Sequence, residues 1–92
     1  MVARSAAFLE FVRSQPCVGC MAPPRNDAHH WGARGVGIKT EDYRTVPLCR
    51  MCHQTFHQHG RAGPFDRDRT RFEFLRAQVD LLVRWNIEQD GA

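Results

Sequence analysis

Apolar residues first recur at helical spacing over about Ser5 to Ser14. There Phe8, Leu9, Phe11 and Val12 make one face, and Arg4, Glu10 and Arg13 lie outside it. The pattern predicts a short amphipathic helix with Ser5 as its N-cap and Pro16 as its stop. Pro23 and Pro24 then force extended or turning backbone, and Asn26 to Trp31 reads as a short strand. Gly32, Gly35 and Gly37 mark a flexible loop that also carries Arg34 and Lys39. Val46-Pro47-Leu48 reads as a second strand, and Arg50 to about His59 as a helix capped by Gly60. Arg61 to Asp66 reads as a linker. A longer helix is predicted from about Arg67 to Gln89, with Phe72, Leu75, Val79, Leu82 and Trp85 or Asn86 at three- and four-residue steps. Phe74, Leu81, Val83 and Ile87 widen this stripe. It is expected to pack on the first helix and the middle of the chain, and its breadth leaves room for a homodimer through the same helix.

Composition narrows the setting. A chain of 92 residues reads as one domain, and its 42% hydrophobic and 25% charged residues are ordinary for a soluble globular protein. A core this small is marginal alone, so a stapling metal or disulfides are expected. No stretch is long and apolar enough to span a membrane, and the first residues lack a secretory apolar run. A reducing cytoplasmic setting is therefore expected, where paired cysteines hold metal in preference to forming disulfides. The formal net charge of +3 gives slight support for a nucleic-acid partner.

The four cysteines fall into two CxxC pairs, Cys17/Cys20 and Cys49/Cys52, with none left over. This is the spacing of a closed structural zinc site, in which four thiolates leave no position for substrate. Gly19 suits the tight turn of the first knuckle. A redox role for one pair is made less attractive by the presence of the second. The histidines are then free for other chemistry. His29 and His30 are adjacent on the first strand and point to opposite faces. His53 and His57 are four apart on the second helix and share one face, a spacing suited to gripping a metal. A strand packed on that helix would bring His29 to a third ligand position. His59 reads as a solvent-facing residue.

The segments Cys17-Val18-Gly19-Cys20, Asp27-Ala28-His29-His30-Trp31 and Val46-Pro47-Leu48-Cys49-Arg50-Met51-Cys52-His53, followed by His57, resemble the HNH nucleases, the ββα-metal or His-Me finger family. The resemblance covers roughly the middle half of the chain. It implies an α+β fold: a small zinc-stapled, treble-clef-like ββα-metal core over about 15–60, flanked by N-terminal and C-terminal helices, with the latter at 67–89. It implies His30 as general base, His29, His53 and His57 as ligands of a catalytic divalent metal, and Cys17, Cys20, Cys49 and Cys52 as ligands of a structural zinc. It also implies hydrolysis of DNA phosphodiester bonds by a one-metal mechanism, with products bearing a 5′ phosphate and a 3′ hydroxyl. The family's Asn before the second strand is missing; no Asn lies between His30 and His53, which leaves Asp42 or Tyr43 to hold the loop. The loop Gly35-Val36-Gly37-Ile38-Lys39 is similar to that of short phage and prophage recombination proteins.

An imidazole ligand set favours Mn²⁺, Ni²⁺, Co²⁺ or Zn²⁺ over Mg²⁺, which remains a further option. Arg34 and Lys39 are candidate substrate-binding residues, placed to steady a phosphate. Arg61, Arg67, Arg69 and Arg71 could follow a DNA backbone, but the interleaved Asp66 and Asp68 favour a solvated helix start. No base-reading element is evident, so sequence specificity is expected to be low. The first alternative is a non-catalytic zinc-finger module that binds nucleic acid. The second is a zinc-stapled protein-interaction module that docks through its last helix.

Overall fold

A computed structural model describes residues 4–31 and 42–91, without the side chains of 89–91. The chain order is α1 (Ala6–Arg13), β1 (Asp27–His30), β2 (Thr45–Leu48), α2 (Arg50–His59) and α3 (Arg67–Gly91). The architecture is α+β, with one two-stranded antiparallel sheet and three helices. The glycine-rich loop, with Gly32, Arg34, Gly35, Gly37 and Lys39, lies outside the described residues.

The two strands pair in a register that sets His29 opposite Val46 and His30 opposite Thr45. The period of two then sorts β1 by face. Ala28 packs toward α1, in a cluster built on Phe8, Val12 and Leu81 with Tyr43 and Trp85 around them. Asp27 and His29 point the other way, where both meet His53 of α2. The larger cluster unites Cys17, Val46, Leu48, Cys52, Ala62 and Phe74, so two of the four cysteines are core residues.

Local chemistry accounts for the helix ends. The Ser5 hydroxyl accepts from the Phe8 N–H at 3.1 Å, as its N-cap position requires. Cys49 caps α2, its sulfur accepting from the Cys52 N–H at 3.4 Å. Gly60 ends α2 in the left-handed conformation, with φ 74°. Asp66 starts α3, accepting from the Arg69 N–H at 2.7 Å.

Two sequence expectations gain detail and one needs correction. The segment before α3 is the expected irregular linker, but it is anchored. Ala62 is fully buried and donates its N–H to the Thr70 hydroxyl at 3.0 Å. Gly63, at φ 58°, lies so close to the Gly19 backbone that a Cβ would collide with the Gly19 carbonyl. Gly19 is required for that close approach, and for its approach to the Cys52 sulfur, and it is Met21 that takes a positive φ, 64°. The correction concerns α3. Its packed side carries Thr70, Phe74, Ala77, Leu81 and Trp85, while Phe72, Leu75, Val79, Val83 and Ile87 are each more than half exposed. Apolar residues occur on both sides of this helix, so periodicity counted from Phe72 selects the wrong one. Among the described residues no helix is long and apolar enough to cross a membrane.

Candidate functional site

Two groups of metal-type ligands lie on either side of α2. The sulfurs of Cys17, Cys20, Cys49 and Cys52 all lie within 4.8 Å of one another, and those of Cys20 and Cys49 are 3.6 Å apart. Tetrahedral zinc–thiolate bonds of about 2.3 Å place sulfurs roughly 3.8 Å apart, so the cluster fits such an ion. Its electrostatics point the same way. Burial pushes the Cys52 thiol well above its ordinary pKa, and the neighbouring sulfurs of Cys49 and Cys17 push it further. A divalent cation is the natural relief for thiols packed this closely. The cluster can hold a structural ion such as zinc, with Cys17 and Cys52 buried, Cys49 half-buried and Cys20 exposed.

The second group is His29, His53 and His57, whose ring nitrogens also lie within 4.8 Å of one another. His29 comes from β1 and is buried; the other two come from successive turns of α2 and grade from half-buried to exposed. His29 Nδ1 and His53 Nε2 are 3.1 Å apart. Imidazoles bound at about 2.0–2.1 Å to one ion would bring their nitrogens to roughly 3.0–3.4 Å, so this spacing fits two ligands of one cation as well as the hydrogen bond the two rings form here. The rings of His53 and His57 are 4.8 Å apart, and Phe56 and Phe74 wall the group on its inner side.

Asp27 fixes how His53 is presented. Its carboxylate accepts from His53 Nδ1 at 3.0 Å and from Arg50 Nε at 3.2 Å. The hydrogen bond from His53, and then that from Arg50, hold Asp27 below the usual carboxylate range. An ionised carboxylate only accepts, so Nδ1 carries the ring proton and Nε2 keeps its lone pair toward His29.

His30 sits at the end of β1 and faces the α1 side. Its Nε2 lies 2.9 Å from Oδ1 of Asp42, whose side chain is only 7% exposed. Burial alone would raise the Asp42 pKa. Hydrogen bonds from His30, the Ser5 N–H and Arg4 outweigh it and hold the acid at about 2. Tyr43, the other residue expected to steady this turn, packs its ring on Phe8 at 4.9 Å instead.

Both halves of the histidine pair border one open cleft of about 420 Å³, lined also by Trp31, Phe56, His57, Gly60, Arg67, Asp68 and Arg71. The first turns of α3 border this cleft through Arg67, Asp68 and Arg71, all of them exposed, in keeping with a solvated helix start. Arg67 donates from Nε to the His59 carbonyl at 2.9 Å, which ties α3 to the end of α2. His59 is exposed and outside the group, as expected. The sequence places Asp27 in the matching segment and Arg67 and Arg71 in a basic stretch, but it does not pair Asp27 with His53. The Asp27 signal was present, since it lies two residues before His29 on a strand and so shares its face.

Residues 1–80 match the family described as "Protein of unknown function (DUF968)", and the chain belongs to that family. It is 38% identical over 53 residues to the uncharacterized protein YdfU of Escherichia coli (strain K12). That similarity covers 54% of this chain and 15% of YdfU, so the chain spans a small part of that relative's length. No solved structure matches the chain.

Proposed function

We propose that this member of the DUF968 family is a metal-dependent endonuclease of the HNH, ββα-metal type that hydrolyses DNA phosphodiester bonds. The observation that carries the reading is the meeting of His29, His53 and His57 from a strand and a helix, with their nitrogens within 4.8 Å. His30 borders the same cleft, and two arginines line it. The resemblance of the segments from Cys17 to His57 to HNH nucleases supports it independently.

His29, His53 and His57 would hold one divalent ion. When bound, such an ion supplies Lewis-acid stabilisation of the charge that develops on a scissile phosphate. The residues of the chain supply the rest. The Asp27 hydrogen bond keeps His53 in the tautomer a ligand needs. His30 takes the proton from the attacking water at the ring nitrogen that does not face Asp42. Arg67 and Arg71 on the opposite wall grip phosphates flanking the scissile one. The cysteine cluster plays no chemical part; it holds the N-terminal knuckle against β2 and α2, and so fixes where α2 presents its histidines.

Arg71→Ala tests the grip. It is expected to weaken DNA binding without altering the metal centre, and to reduce the slope of log affinity against log salt by about one. Fluorescence-anisotropy titrations across a salt series read both quantities. An unchanged slope would remove Arg71 from the DNA contact.

The function itself is tested by incubating supercoiled plasmid with the purified protein in Mn²⁺, Ni²⁺, Co²⁺, Zn²⁺ or Mg²⁺. Nicked or linear product in at least one transition metal is expected, with 5′-phosphate ends. DNA binding without cleavage in every metal would leave the non-catalytic zinc-finger module as the account of the chain.

A further inference from the structure

We infer that Asp42 is the positioning residue of the general base, an inference that rests on the nuclease reading for its catalytic consequence. The Asp42 carboxylate is tied on both oxygens. Oδ2 accepts from the Ser5 N–H at 2.8 Å, and Oδ1 accepts from Arg4 at 2.9 Å and lies 2.9 Å from His30 Nε2. Its backbone is tied as well, since the Thr45 hydroxyl donates to the Asp42 carbonyl at 2.9 Å. A carboxylate so held has one orientation, and it imposes one on the ring beside it.

The chemistry of that contact has a single sense. An ionised carboxylate can only accept, so His30 Nε2 must carry the proton. That leaves Nδ1 as the one ring nitrogen of His30 able to accept a proton, on a residue that borders the cleft. This is the task of an orienting acid in any acid–histidine pair: it selects the tautomer and stops the ring from rotating. It also offsets the positive charge that the ring acquires when it takes a proton from water.

The position of Asp42 explains why α1 belongs to the site. The first turn of α1 contains no acidic residue of its own, and Asp42 supplies the negative charge at that helix end from elsewhere in the chain. One residue thus couples the N-terminus of α1 and the base on β1 through its carboxylate, and the start of β2 through its backbone carbonyl. Asp27 does the parallel task for His53 on the other face of the same strand. Each face of β1 therefore has its own acid, one for a metal-type ligand and one for the base.

The test has a spectroscopic arm and a catalytic arm. Long-range ¹H–¹⁵N correlation of the zinc-loaded protein at pH 8 reads the tautomer of His30. The wild type is expected to show predominantly the Nε2–H form, and Asp42→Ala to show a mixture. A wild-type His30 in the Nδ1–H form, or a tautomer unchanged in Asp42→Ala, would overturn the positioning role whatever the activity. In plasmid cleavage, Asp42→Ala is expected to lower kcat by about 100-fold with KM within about twofold. Asp42→Asn keeps the shape but sets an amide NH₂ against either the Ser5 N–H or the His30 and Arg4 donors, so little recovery of kcat is expected there. Cleavage by Asp42→Ala at the wild-type kcat would overturn the catalytic consequence. Absence of cleavage by wild type in all metals, with the tautomer dependence intact, would overturn the nuclease reading and leave the orientation of His30 by Asp42 standing.

Discussion

Replacing His30 by alanine is expected to lower DNA cleavage by about 10²- to 10⁴-fold, the usual contribution of a positioned general base. The loss should come in kcat, because water activation matters in the transition state and not in DNA binding. The fold should survive. The His30 side chain is 33% exposed, and its removal leaves Asp42 with its bonds from Ser5 and Arg4. The ligand trio is also untouched, since it uses His29 and two residues of α2. The check is a time course of plasmid nicking beside metal content and far-UV circular dichroism of the same preparations. Cutting at the wild-type rate would remove His30 from the role of base.

Stripping the cysteine-bound ion is expected to unfold the middle of the chain. Cys17 is fully buried and Cys52 is 5% exposed, and both belong to the same cluster as Val46, Leu48 and Phe74. Without the ion, four thiols packed within 4.8 Å of one another lose the reason for their approach. Structural zinc binding is worth about 10–16 kcal/mol in apparent terms, whereas a small domain has roughly 5–15 kcal/mol in total. The second cluster cannot compensate, because among the described residues it buries only Phe8, Val12 and Leu81. Excess chelator, or Cys52→Ser, should abolish the cooperative thermal transition and the near-UV signals of Trp31 and Trp85. Retention of both with no metal bound would contradict a structural role for the cluster.

The local features were legible because local chemistry determines them. The Ser5 cap, the span of α2 and its end at Gly60 follow from side chains adjacent in the chain. The two CxxC pairs and the four-residue step from His53 to His57 are readable for the same reason, as their geometry is that of one turn or one helix face. Alternation along β1 correctly separated His29 from His30, which meet α2 and Asp42 respectively. Long-range pairings were a different matter. Asp42 lies 12 residues from His30, and no periodic signal connects an acid in a turn to a base on a strand. Arg67 and Arg71 line the cleft at the start of a helix whose preceding segment is anchored by the buried Ala62 and the Gly63–Gly19 contact, pairings far apart in the chain. The packed face of α3 was misread from Phe72 because burial there is decided by Phe74 meeting Phe56 and Trp31, at ring distances of 5.1 and 5.8 Å.

Everything catalytic in this account requires a cation among the three imidazoles, separate from the one the cysteine cluster can hold. Titration of the zinc-loaded protein with Mn²⁺, followed by electron paramagnetic resonance, tests that requirement without reference to DNA. The account expects one Mn²⁺ per chain beyond the zinc in wild type, and loss of that ion with zinc retained in His57→Ala. Failure of the wild type to take up Mn²⁺, or uptake undiminished in His57→Ala, would contradict it.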